Sequence, residues 1–141
     1  MCGLPCVSLS APRAILVLKD ASGERVRLSD YRGKVVVLNF WATWCGPCLD
    51  EMPMLVEMEK EYGSRGVVFV GASLDDARTS GQIPDFLARY RVKYPIWYGA
   101  TGDDVARFGL GEAVPDTVFI DPEGQVTSFQ PSSTKPKLAP P

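Results

Sequence analysis

Lys34-Val35-Val36-Val37-Leu38-Asn39-Phe40-Trp41, followed after Ala42-Thr43 by Trp44-Cys45-Gly46-Pro47-Cys48, is the stretch on which the fold turns. Its first run is apolar on both alternations, the pattern of a strand covered on both faces. Pro47 suits the first position of a helix, where no backbone donor is needed. Beyond it Cys48, Met52, Leu55, Met58 and Tyr62 recur at three- and four-residue spacing and predict a core-facing stripe. Pro53 should kink this helix, and Gly63 and Gly66 end it. A second doubly apolar run, Val67-Val68-Phe69-Val70-Gly71-Ala72, follows. Strand, helix and strand at this length predict a right-handed parallel crossover.

Working outward, the alternation of Ala14 to Lys19, the turn Asp20-Ala21-Ser22-Gly23 and the run Arg25 to Leu28 predict a hairpin, with Ser29 to Gly33 as connector. Downstream, Gly81 to Val92 reads as a helix with Ile83, Phe86, Leu87 and Tyr90 on one side. A short strand over Pro95 to Tyr98 and a short helix over Asp103 to Phe108 come next. Thr117 to Asp121, the turn Pro122 to Gln125 and Val126 to Phe129 form a final hairpin. The class is α/β, a mixed sheet with helices on both faces. Residues 1–12 read as a flexible arm, 13–130 as the one folded domain, and the Pro-rich 131–141 as a disordered tail.

Composition narrows the chemistry. A chain of 141 residues, 45% hydrophobic and 23% charged, is one soluble globular domain. At this size roughly two thirds of the unfolded surface is buried without disulfide staples, so the four cysteines are open to a chemical reading. With 15 Lys and Arg against 17 Asp and Glu there is no basic stripe to neutralise phosphates, and nucleic acid is excluded as a partner. The absence of histidine removes Ser-His-Asp and Cys-His catalysis and His-ligated zinc. No apolar run is long enough to span a bilayer, and no signal or anchor is visible in this chain.

Trp44-Cys45-Gly46-Pro47-Cys48 carries the chemistry. Two thiols separated by two residues at a helix start close a disulfide with little backbone movement. The first sulfur lies beside unsatisfied amides and the positive end of the helix dipole, which favour a thiolate, while the second is shielded one turn in. The asymmetry assigns Cys45 as the reachable attacking sulfur and Cys48 as the resolving one. Trp41 and Trp44 supply a flat apolar rim for a protein substrate. Two other readings stay open: a purely structural disulfide, and a non-catalytic zinc module in which Cys2 and Cys6 join Cys45 and Cys48 as four thiolates.

Asn39 to Cys48 with Glu51-Met52-Pro53, the preceding Leu28-Ser29-Asp30 and Gly33-Lys34, and the later Val114-Pro115-Asp116-Thr117-Val118-Phe119-Ile120-Asp121 with Gly124 resemble the thioredoxin superfamily. More narrowly, they resemble the extracytoplasmic thiol-disulfide oxidoreductases of the TlpA/ResA/CcmG type, from about Ala11 to Phe129. The resemblance implies a thioredoxin βαβ–ββα fold with an N-terminal hairpin and an insertion before the central crossover helix. It implies disulfide reduction in protein substrates, with apocytochrome c as one candidate, and an upstream dithiol donor, membrane-bound in some arrangements. It places the protein in the bacterial periplasm or cell envelope, and calls for no cofactor beyond the Cys45–Cys48 dithiol.

Residue by residue, Pro115 resembles the family's cis-proline, whose isomer turns the Val114 backbone outward for a substrate peptide. Trp44, Gly46, Pro47, Val114 and Pro115 are accordingly the expected substrate-binding set, and the Gly46-Pro47 dipeptide resembles that of reducing members. Glu51, on the same side of the helix as Cys48, matches a carboxylate thought to move the proton of the buried cysteine; Asp50 reads as a solvated acid. Asn39 stands where cytosolic thioredoxins carry a buried aspartate, and reads as an amide satisfying backbone groups. A peroxiredoxin, which shares the fold, wants threonine or serine three residues before its reactive cysteine; position 42 is alanine and the threonine is at 43. The C-terminal helix of the family is missing from the pattern, so one sheet face is expected to be partly bare.

Overall fold

In the computed structural model, which describes residues 15–108 and 114–131, the N-terminal alternation becomes a hairpin. Strand β1 (Val17–Lys19) pairs antiparallel with β2 (Arg25–Arg27), Leu18 opposite Val26. The Asp20 carboxylate closes the turn by accepting from the amides of Ser22 and Glu24 and from the Ser22 hydroxyl. A 3-10 turn over Leu28–Tyr31 leads into β3 (Val36–Trp41), in which every residue is buried. The expected arm, Cys2, Cys6 and the rest of the tail lie outside the described residues, but Pro131, expected to open the tail, instead ends the last strand of the sheet opposite Asp116.

Helix α1 (Gly46–Tyr62) starts with Pro47 in its first turn and runs through Pro53, whose ring sits on the exposed side. Its buried stripe is Cys48, Met52, Leu55, Val56 and Met58, with Tyr62 half-buried. Strand β4 (Val68–Ser73) follows, parallel to β3 with Asn39 opposite Gly71. The expected helix over residues 81–92 is shorter than its apolar pattern: a 3-10 turn at Ser80–Gln82, then α2 (Ile83–Tyr90). Pro84 fits its first turn, and Arg91 ends it in the left-handed region. The remaining elements are β5 (Ile96–Tyr98), α3 (Gly102–Arg107), β6 (Asp116–Ile120) and β7 (Val126–Pro131).

The seven strands form one mixed sheet in the order β2-β1-β5-β4-β3-β6-β7. β3, β4 and β5 are parallel, and β6 runs antiparallel to β3. One face packs Leu28, Leu38, Phe40, Val70, Val118 and Ile120 against Val105 and Phe108 at the α3 end, with Tyr31 stacked on Trp97. The other carries Val37, Phe69, Ile96 and Phe119 beneath α1 and α2. The bare face expected from the sequence is not found on the described central strands. Both faces of β3 and β6 are buried, one beneath Leu28 and the α3 residues and the other beneath α1 and α2.

Phe40 is fully buried and tilts against Phe108 across the sheet–helix seam. Phe40→Ala should therefore cost roughly 3–5 kcal/mol, the range for a large aromatic deleted from a close-packed core, read as a lowered urea midpoint at unchanged slope.

Candidate active site

The last buried residue of β3 and the first turn of α1 are separated by Ala42, Thr43, Trp44 and Cys45. The Cys45 amide donates to the Ala42 carbonyl at 3.2 Å and closes this junction into a turn. Cys45 is the N-cap of α1: its backbone is extended, and its Sγ accepts the Cys48 amide at 3.2 Å. One of the orphan amides of the helix start is thus aimed at a sulfur. Cys45 and Cys48 are joined in a disulfide, their Cα atoms 5.3 Å apart.

Exposure departs from the sequence reading in two respects. Cys45, expected to be reachable, is only 6% exposed, against 2% for Cys48. It lies just below the surface, its Sγ 3.7 Å from the Val114 carbonyl oxygen, with exposed Gly46 and Pro47 and a 59% exposed Trp44 around it. Trp41, expected beside Trp44 on the rim, is wholly buried. As a β3 residue its side chain turns under α1, where Gly71 leaves the room its indole needs; a Cβ there would sit 3.1 Å from Trp41 Nε1 and 2.8 Å from Ile96 Cδ1.

Chain-distant residues complete the site. The Val114–Pro115 bond is cis, and it brings the Val114 carbonyl against the disulfide. Asn39 is buried and donates from Nδ2 to the Thr117 hydroxyl at 3.1 Å and, at 3.5 Å, to the Asp116 backbone carbonyl, so a side chain shares the backbone role expected of it. Glu51 is half-buried one turn beyond Cys48, whereas Asp50 is exposed. Immediately after the cis-proline, Asp116 has its carboxyl pushed up to about 6 from 3.8, first by burial and then by the charge of Glu51. The two carboxylates therefore feel each other across the α1–β6 seam beside the disulfide.

Asp116 was not singled out from the sequence, although an acid placed between Pro115 and a doubly apolar strand is the signal that marks it. Asp75 was missed too. It follows Leu74 at the end of β4, is 5% exposed, and accepts from the Thr43 amide, the Thr43 hydroxyl and the Ser73 hydroxyl. No group of three or more metal-ligating side chains occurs among the described residues, and no described helix is long and apolar enough to cross a membrane.

Residues 8–129 match the AhpC/TSA family. Thiol-disulfide oxidoreductase ResA of Bacillus subtilis (strain 168) is 32% identical over 124 residues, covering 88% of this chain and 68% of that protein. ResA of Bacillus thuringiensis subsp. konkukian is 34% identical over 110 residues, 78% of this chain; the chain spans only 62% of that relative's length. Among solved structures, one described as a thiol:disulfide interchange protein DsbE from Chlorobium tepidum superposes with a TM-score of 0.75 at 31% identity. It covers 89% of this chain and 87% of its own.

The raised Asp116 carboxyl has a consequence for stability. An acid that holds its proton more tightly folded than unfolded makes stability fall as pH rises, here from about 4 to about 6. Asp116→Asn removes that fall, so in urea titrations the variant should gain on the parent between pH 4 and pH 7; a parent that gains instead contradicts the assignment. Glu51→Gln should lower the Asp116 titration midpoint below about 6, followed by carboxyl NMR.

Proposed function

The chain belongs to the AhpC/TSA family, and from that premise we propose that it is a thiol-disulfide oxidoreductase that reduces disulfides in protein substrates. One observation carries the reading: the Cys45–Cys48 disulfide spans the first turn of α1, with Cys45 Sγ as the acceptor that caps the helix. In the reduced form the same amide and the helix dipole favour a Cys45 thiolate.

That thiolate attacks one sulfur of a substrate disulfide. A Cys45–substrate bond forms, the substrate S–S bond breaks, and the leaving sulfur departs as a thiolate that takes a proton. Cys48, once deprotonated, attacks Cys45 Sγ, closes the intramolecular disulfide and expels the second substrate sulfur. Two electrons pass from the dithiol to the substrate, whose two sulfurs end protonated. A dithiol donor returns the pair to the reduced state. Glu51, one turn beyond Cys48, and Asp116, whose carboxyl is pushed up to about 6, are assigned as acceptors of the Cys48 proton, since such a carboxyl stands closer to a thiol than an ordinary acid does.

Trp44, Gly46 and Pro47 form the exposed apolar rim on which the substrate rests, and the Val114 backbone beside cis-Pro115 is the edge that an extended peptide would pair with. The named ResA and DsbE relatives support the disulfide chemistry; an apocytochrome c substrate, a membrane-bound donor and a bacterial periplasmic or cell-envelope location extend it by the same likeness. The peroxidase alternative is disfavoured by position. Ala42 stands three residues before Cys45, and the hydroxyl of Thr43 is donated to Asp75. The zinc alternative requires Cys45 and Cys48 as separate thiolates together with Cys2 and Cys6, which lie outside the described residues.

Cys45→Ser should reduce dithiothreitol-coupled insulin reduction to the uncatalysed rate, whereas Cys48→Ser should accumulate a mixed disulfide detectable by mass on non-reducing separation. Turnover unchanged in Cys45→Ser would overturn the reading.

A further inference from the structure

Asp75 is a buried carboxylate on the far side of the active-site junction from the cis-proline, and the dithiol chemistry above does not use it. A buried charge is tolerated where its oxygens are saturated with donors. Here the donors come from two segments. Ser73, of β4, donates its hydroxyl to Oδ2 at 2.7 Å and takes the Asp75 amide at 2.9 Å, which fixes the carboxylate relative to its own strand. Thr43 donates its amide to the same oxygen at 3.0 Å and its hydroxyl to Oδ1. No cation lies within ion-pair distance of Asp75 among the described residues. Three of the four described hydrogen bonds to this carboxylate therefore come from one residue of the junction.

Thr43 is the middle of the turn that the Cys45 amide closes onto Ala42, and its neighbour Trp44 is the exposed rim. A second tie, from the Leu74 amide to the Trp41 carbonyl at 2.8 Å, joins the same two segments one residue earlier. The geometry points to Asp75 as a positioning residue for disulfide exchange: through Thr43 it locks the Ala42–Cys45 turn to the end of β4, and so aims the Cys45 sulfur and holds Trp44 outward. This rests on the thiol-disulfide reading of the site. Charge-assisted hydrogen bonds are stronger and more directional than neutral ones, so a carboxylate suits a part that must hold aim while the sulfur changes partners.

Thr43→Val keeps the shape and the Asp75 charge but deletes the hydroxyl donor; Thr43→Ser keeps the donor. In a Cys48→Ser background, the rate of mixed-disulfide formation with oxidised glutathione isolates attack by Cys45. Thr43→Val should slow it by about tenfold, since a small misplacement of a reacting group costs at least that much, and Thr43→Ser should recover most of the loss. The pH profile of Cys45 alkylation by iodoacetamide should move to higher pH in Thr43→Val, because a misaimed sulfur loses the Cys48 amide. A purely structural contact would lower the melting temperature and leave that profile in place. Asp75→Asn combined with Thr43→Val should be no slower than the slower single variant, the signature of one shared interaction.

The proposal is overturned if Thr43→Val matches the parent in rate and profile, or if the losses in the double variant multiply. Alkylation needs no disulfide substrate. A parent that fails to reduce insulin, with the Thr43→Val profile still shifted from it, would sink the proposed function and leave the positioning role standing.

Discussion

A backbone amide aimed at a sulfur atom is the contact on which this molecule depends. The Cys48 amide reaches Cys45 Sγ because Cys45 occupies the N-cap of α1, and Cys45 occupies that place because β3 stops one turn earlier. β3 can stop there, and only there, because it is buried on both faces and held between β4 and β6 by ladders on each side. The chemistry of the pair is thus set by the register of a sheet several residues away. A helix start that drifted by one residue would place another side chain at the cap and turn the sulfur away from the amide.

Around this contact the protein concentrates carboxylates rather than bases. Glu51 and Asp116 lie on the α1–β6 side, and Asp75 on the β4 side. Their burdens differ. Asp116 has burial and a like charge against it, and its carboxyl titrates near about 6. Asp75 is more deeply buried but saturated with donors, and spends its charge on holding Thr43. In a chain without histidine, a carboxyl moved upward by its surroundings brings a protonation change toward neutrality.

Much of this was legible before any coordinates. The doubly apolar runs, the Pro47 start and the three- and four-residue stripe of α1 predicted the crossover and the place of the dithiol, because strand burial and helix periodicity are local properties of the chain. What misled was direction. Trp41 and Trp44 look alike in sequence, yet one fills a hollow left by Gly71 and the other faces outward, since β3 ends at Trp41 and the two residues between them belong to irregular backbone. Cys45 is less exposed than expected for a related reason: the Val114 carbonyl, 69 residues further on, comes to rest against its sulfur. Leu28, read as the end of a hairpin strand, instead opens a 3-10 turn, and its side chain helps cover one face of the sheet.

By itself the amino-acid order determined most of the element types, the α/β class and the place of Cys45 and Cys48 at a helix start, for these follow from spacings of a few residues and from the fixed pitch of helix and strand. Only the tertiary structure decided that Asp116 meets Glu51, that Val114 closes over the disulfide, and that Asp75 grips Thr43. Those contacts join segments from 32 to 69 residues apart, as with Thr43 to Asp75 and Cys45 to Val114. Their strength depends on burial and on distance through a low-dielectric interior, and neither quantity exists until the sheet has assembled.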